Sequence, residues 1–135
     1  MKDHKDLIVW QKSMELTRII YTLTKRFPQG EIFGLTNQIR RAVVSIPSNI
    51  AEGFGRNSDK QFIHFLKIAK GSAAELETQL LISRDLSYLT AKDAKSTLAL
   101  YDEIARMLGA LIRNIEKRVE KDRARNEKQG RKRWI

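Results

Sequence analysis

The apolar residues of this chain recur every three or four positions through four long segments, which is the spacing of one face of an α-helix. No stretch alternates polar and apolar residues for long enough to indicate a β-strand, and the only prolines are Pro28 and Pro47. The pattern therefore predicts an all-α fold.

The first predicted helix runs from about Leu7 to Phe27 and is apolar on two adjacent stripes. One stripe contains Leu7, Trp10, Met14, Thr17 and Tyr21, and the other contains Leu16, Ile20, Leu23 and Phe27. Two stripes side by side indicate a broadly buried helix. The helix is expected to stop at the sequence FPQG, because a proline pushes the preceding residue out of helical conformation.

The second predicted helix starts near Thr36 and contains the segment SIPSNIAEGFGR, which is unusually rich in residues that disfavour helices. Apolar residues keep helical register across Pro47, so we expect a single helix bent at the proline. These apolar residues are Ile39, Val43, Ile46 and Ile50.

The polar and small residues after Pro47 suggest a structural signature. We predict that Asn49 and Glu52 form hydrogen bonds across helices or subunits at the bend. The small side chain of Gly53 is expected to let another helix come close, and Gly53 and Gly55 are expected to form the exit toward the next helix.

The third and fourth predicted helices each begin at a capping residue, Ser58 and Thr90. Their apolar residues follow a strict alternation of four and three positions. In the fourth helix this alternation stops at Val119, and the chain continues as EKDRARNEKQGRKRWI. We therefore expect an up-down-up-down antiparallel four-helix bundle over residues 1–119, followed by a frayed helix end and a basic tail over residues 120–135.

Charge is the compositional feature that bears most on function. The 135 residues contain 26 Lys and Arg but only 16 Asp and Glu, so the formal net charge is +10. This excess favours a polyanionic partner, with nucleic acid first, through phosphate neutralisation and counterion release. The alternative is a solvated basic surface that has no dedicated partner.

The sequence offers little support for catalysis. There are no cysteines and only two histidines, His4 and His64, and the Glu-x-x-His pairs of di-metal bundles are absent. No serine lies in a nucleophile elbow, and the GFG segment lacks the Lys-Ser/Thr of a P-loop. We therefore expect no enzyme activity, no cofactor and no metal.

Neither a signal peptide nor an apolar segment long enough to cross a bilayer is visible, so a cytoplasmic protein without membrane contact is expected.

The basic residues form groups that could bind a phosphate backbone without reading its sequence. Two groups lie on the second and third helices, and the other lies in the tail. The candidate nucleic-acid contacts are Arg40, Arg41, Arg56, Lys60, Lys67, Lys70, Arg123, Arg125, Lys128, Arg131, Lys132 and Arg133.

The first and fourth helices contain more apolar residues than one bundle core requires. This surplus suggests a surface between subunits, although a wide core could also absorb it. We therefore expect a homo-oligomer.

Three ordered motifs resemble a known family. They are DLIVWQKSMEL, FGLTNQIRRAVVSIPSNIAEGFGR and FLKIAKGSAAELETQLLIS, which together span most of residues 6–89. The chain resembles the bacterial four-helix-bundle proteins encoded in intervening sequences of 23S ribosomal RNA genes, a family related to the accessory variability proteins of diversity-generating retroelements.

This resemblance implies a ring-shaped homopentamer. For the retroelement relatives it also implies binding to RNA and to a reverse transcriptase, whereas for the ribosomal-insertion relatives it implies no settled activity. Two functions therefore stay open: an oligomeric RNA-binding accessory protein that works with a reverse transcriptase, or an oligomeric protein-interaction scaffold with no nucleic-acid role.

Overall fold

The computed structural model describes residues 2–134, with side chains through residue 130. The described residues form four α-helices and no strands, which confirms the predicted four-helix bundle. The helices are α1 (Ile8–Thr24), α2 (Leu35–Gly55), α3 (Asp59–Asp85) and α4 (Ala91–Trp134).

Each helix packs against the helices before and after it in the chain, and α1 closes the bundle against α4. Side-chain pairs between helices establish the antiparallel directions. Lys12 pairs with Glu103 at 2.9 Å and Arg26 pairs with Asp93 at 3.4 Å. Residue numbers that increase along α1 meet numbers that decrease along α4, so the two helices are antiparallel. One end of the bundle therefore carries the α1–α2 and α3–α4 connections, and we call it the connection end. The opposite end, where α2 turns into α3, is the arm end.

The core is built from the predicted apolar stripes, with one exception on α1. Ile39, Val43, Ile46 and Ile50 of α2 are fully buried, and so are Leu66 and Leu76 of α3. On α1 the stripe that contains Leu16 and Ile20 is buried. The second predicted stripe is only partly covered: Trp10, Met14 and Thr17 are half-buried, and Tyr21 is 38% exposed.

Helix α2 continues through Pro47, as the apolar register predicted, and Pro47 itself is buried. The predicted role of Gly53 and Gly55 in the exit from α2 is wrong, because both glycines lie inside the helix and neither has a positive φ. Asn57 instead makes the turn, with a φ of 54°. Asparagine tolerates this left-handed conformation better than most residues do.

The hydrogen bonds after Pro47 also differ from the prediction. Within the chain, Asn49 donates to the carbonyl oxygen and to Oγ of Ser45 on its own helix, and Glu52 accepts from Arg56 one turn later. The bond that crosses helices joins Ser45 Oγ to Ser72 Oγ of α3 at 2.8 Å. A bond from Asn49 or Glu52 to another subunit stays a prediction.

The predicted frayed end after Val119 is instead part of a regular helix, since α4 runs for 44 residues to Trp134. The apolar residues that pack on the core do end at Val119, as predicted, but the helix continues beyond them without such packing. Lys, Arg, Glu and Gln are good helix formers, and Arg123 pairs with Glu127 one turn later. Ile135 lies outside the described residues.

Candidate nucleic-acid interface

The final segment of α4 leaves the bundle at the arm end. The side chain of Asp59, the first residue of α3, pairs with Arg118 of α4, so α4 residues beyond Arg118 pass the start of α3. From Glu120 to Gln129 every side chain is exposed except the half-buried Asp122. Residues 120–134 therefore form a helical projection about 22 Å long, which we call the arm.

The arm is strongly basic. Residues 120–135 contain seven Lys and Arg residues and three Asp and Glu residues, a net charge of +4. A helix that is polar all round has no apolar face with which to pack on its own bundle. Its exposure and charge suit it for contact with phosphates.

Four basic residues form a continuous stripe along α4 into the arm, at spacings of three, four and three positions. They are Arg118, Lys121, Arg125 and Lys128. Sequence reasoning included Arg125 and Lys128 but missed Arg118 and Lys121. The same spacing rule that located the core would have found this stripe, had it been applied to basic residues.

Some of the basic residues of the arm are engaged in ion pairs. Within the arm, Arg125 pairs with Asp122 at 2.8 Å and Arg123 with Glu127 at 3.7 Å. Lys121 and Lys128 are exposed and belong to none of the ion pairs among the described side chains. Among the arm side chains that the structure describes, these two lysines are therefore the most available to a polyanion.

The base of the arm is fixed by a bidentate ion pair. Arg118 donates from Nε and Nη2 to the two carboxylate oxygens of Asp59, at 2.9 and 2.7 Å. This hydrogen bonding lowers the pKa of Asp59 and raises that of Arg118, although burial opposes both shifts. The pair therefore joins the start of α3 to α4 at the point where α4 leaves the bundle.

The predicted lysines of α3 lie beside α4 or on the outer surface. Lys60 and Lys70 are exposed, and Lys67 is 3.8 Å from Glu116 of α4. Lys60 and Arg123 line an open crevice between α3 and the arm, which is also lined by the carboxylates of Asp59, Asp122 and Glu127. The structure thus brings Lys60 together with the arm residues.

Two of the three predicted arginines at α2, Arg40 and Arg41, are separated from the arm. Arg40 and Arg41 lie toward the connection end, whereas Arg56 follows the end of α2. Arg40 Nε donates to Thr24 Oγ1 at 2.9 Å, and its guanidinium lies 4.7 Å from the centre of the Tyr21 ring. Arg40 therefore joins α2 to α1, while Arg41 is exposed.

Arg56 is also engaged within the chain, since it pairs with Glu52 at 2.6 Å and lies over the ring of Phe65. The side chains of the predicted contacts Arg131, Lys132 and Arg133 lie outside the described residues.

Two further classes of site have no counterpart in the part of the chain that the structure describes. No three His, Asp or Glu side chains there are grouped closely enough to hold a metal ion. None of the helices combines the length and the apolar character needed to span a membrane, judged over the same residues.

Comparison with known proteins identifies one family. A family model described as 23S rRNA-intervening sequence protein matches residues 5–110. A crystal structure of a protein with unknown function from the S23 ribosomal protein family of Bacteroides thetaiotaomicron is similar to this chain, with 31% identity and a TM-score of 0.73. The similarity covers 78% of this chain and 98% of that one. No curated protein matches the chain.

Proposed function

Because the chain belongs to the 23S rRNA-intervening sequence protein family and also has a basic helical arm, we propose that it is a non-enzymatic, homo-oligomeric RNA-binding protein. The family match ends at residue 110, before the arm begins. We assign the main phosphate contact to the arm and to Lys60 beside it.

The observation that carries this proposal is the exposure of a net-positive helix beyond the last core residue. A helix of this kind gains nothing from packing within its own chain. Each RNA phosphate that the arm neutralises releases counterions. The affinity for RNA is therefore expected to fall steeply as the salt concentration rises. Such contacts carry no sequence information, and selectivity for an RNA would come from its shape or its unpaired bases.

The experiment compares two double variants that remove the same charge from the same helix. Lys121→Gln with Lys128→Gln alters the arm, whereas Arg106→Gln with Arg113→Gln alters exposed residues of α4 within the bundle. Binding to a short RNA duplex is measured by fluorescence anisotropy over a range of salt concentrations. The arm variant is expected to weaken binding and to lower the salt slope by about 2, because two phosphate contacts are lost.

The matched control is expected to bind with nearly the affinity of the wild type. Equal losses in both variants would show that net charge alone attracts the RNA and would reject the arm as the contact. Absence of salt-dependent binding by the wild type, with no change on deletion of residues 121–135, would reject RNA binding altogether.

Self-association is the second part of the proposal. Half-buried and exposed residues occur on the outer surface of α1 and on the neighbouring helix α2, and we call them the outer strip. It comprises Met14, Thr17 and Tyr21 of α1 and Val44 of α2. Incompletely covered apolar residues on adjacent helices support a subunit contact. The stoichiometry we propose, a ring of five, comes from the family resemblance.

The outer strip also supports a second candidate function, an oligomeric scaffold for other proteins with no role in nucleic-acid binding. Co-purification of protein partners that survives nuclease treatment would favour the scaffold. Partners that are lost on nuclease treatment would favour the RNA-binding function. A reverse transcriptase is a candidate partner because of the resemblance to retroelement accessory proteins, and we place the complex in the cytoplasm.

A further inference from the structure

The connection end of the bundle exposes an aromatic ring almost completely. Phe33, in the α1–α2 connection, is 94% exposed, and its neighbour Ile32 is 48% exposed. We call these two residues the tip. The other phenylalanines of the chain are buried or half-buried. Water contact over a whole phenyl ring is unfavourable, so a ring in this position is a candidate for contact with a partner.

The connection that bears the tip is held against the rest of the fold. Glu31 of this connection lies near Tyr88 of the α3–α4 connection: burial raises the pKa of the Tyr88 hydroxyl, and the Glu31 carboxylate raises it further. The rings of Phe27 and Tyr88 pack with centroids 5.4 Å apart, and Arg26 pairs with Asp93 of α4. Phe33 is therefore presented by a fixed connection, which lowers the entropy cost of binding.

The segments that form and flank the connection end have a net positive charge, although the Glu31 carboxylate lies beside Gly34, next to the tip. Residues 25–41 have a net charge of +3, and residues 84–95, which form the adjacent connection and its flanks, have a net charge of +1. Among the described side chains, Lys25, Arg41 and Lys92 are exposed and belong to no ion pair. An exposed aromatic ring at an end of the bundle with net positive charge favours a partner that combines flat apolar faces with negative charge.

We infer that Phe33 is a stacking platform for an unpaired nucleobase, with the surrounding basic residues attracting the adjacent phosphates. Unpaired bases stack on aromatic side chains regardless of their identity, and basic residues beside the ring follow the backbone. This inference rests on the proposed RNA-binding function and adds a second contact, distinct from the arm. The two contacts lie at opposite ends of the bundle, about 30 Å apart along α2.

The experiment uses two probes that separate these contacts: a short oligoadenylate, whose bases are free to stack, and a short RNA duplex, whose bases are not. Phe33→Ala, Phe33→Leu and Phe33→Trp are compared with the full-length wild type. Phe33→Leu is the matched control, because it keeps an apolar side chain but lacks a π-face. Light scattering is used to count the subunits of each variant.

Phe33→Ala and Phe33→Leu are expected to weaken oligoadenylate binding by about fivefold to a hundredfold and to leave duplex binding unchanged. Phe33→Trp is expected to restore or exceed wild-type affinity. Equal oligoadenylate affinity in the wild type, the Ala variant and the Leu variant would overturn the inference while leaving the arm contact in place.

Smaller assemblies in Phe33→Ala would also overturn the inference, because the tip would then be a contact between copies of the chain. Failure of the wild type to bind either probe would overturn both the proposed function and this inference. Loss of duplex binding in the arm variants, with oligoadenylate binding still dependent on Phe33, would establish two separate contacts.

Discussion

Gly53 of α2 lies directly against Phe65 of α3. A β-carbon added at Gly53 would come within 2.8 Å of the Phe65 β-carbon and within 3.0 Å of the Phe62 ring. Real β-carbons essentially never approach other atoms this closely, so any larger residue at position 53 requires the two helices to separate. The close packing of α2 against the first turns of α3 therefore requires glycine at position 53.

Gly53→Ala is predicted to destabilise the fold. The added methyl group would meet the backbone-proximal part of Phe65 rather than a flexible side-chain end, and overpacking of this kind costs about 1–3 kcal/mol. The free energy of unfolding, measured by urea denaturation at neutral pH, is expected to fall by this amount.

The same substitution at Gly55 provides the control. Gly55 is exposed in the last turn of α2, and a β-carbon there would meet nothing within 4 Å. Gly55→Ala is expected to be neutral or to stabilise the fold by up to about 1 kcal/mol, because alanine has the higher helix propensity. Equal effects of the two substitutions would contradict the close packing at Gly53.

The helices could be predicted from the sequence because their apolar residues repeat with a helical period. Ile39, Val43 and Ile46 keep that period across Pro47, and this register correctly indicated one continuous helix. The turn after α2 could not be predicted in the same way. It depends on the left-handed backbone of Asn57, and two nearby glycines appeared better suited to that role.

The candidate site was harder to predict, since a basic residue has the same appearance in a sequence whether it contacts solvent or protein. Arg40 was a candidate for RNA contact, yet its guanidinium donates a hydrogen bond to Thr24 and lies over the ring of Tyr21. Lys121 was omitted, yet it is exposed in the arm. Only the relative positions of the helices show which cations are already engaged.

Removing the ion pair at the base of the arm is predicted to change how stability depends on pH. Arg118 holds the pKa of Asp59 below its ordinary value of 3.8. The pair therefore stabilises the fold above that ordinary value, and its contribution is lost as the pH falls through the lowered pKa. In Arg118→Gln, the loss of stability relative to wild type should be present at pH 7 and should shrink progressively as the pH falls below 3.8.

The expected loss is under about 1 kcal/mol, because the Arg118 side chain is 59% exposed and solvent screens the pair. Urea denaturation between pH 2 and pH 7 measures it. Arg106→Gln, which removes an exposed arginine that lies in no ion pair among the described residues, is expected to show no such pH-dependent difference. If the free energy of unfolding of Arg118→Gln is still lower than that of the wild type by the same amount at pH 2, Arg118 acts through packing rather than charge.

Disrupting the outer strip is predicted to reduce the size of the assembly. Met14→Lys with Val44→Lys would place two charges at the proposed subunit contact, where burial of an unpaired charge is strongly unfavourable. Light scattering at micromolar concentration is expected to show smaller particles, whereas the helical signal in circular dichroism should persist because Val44 is 38% exposed within its own chain.

Thr78→Lys with Ser96→Lys is the charge-matched control for this experiment, because both residues are exposed and lie outside the outer strip. This control should leave the assembly intact. Particles of wild-type size in the Met14 and Val44 double variant would place the subunit contact elsewhere, and a wild-type monomer would reject the ring. Smaller but folded particles, seen only when the strip is charged, would identify it as the surface through which copies of the chain associate.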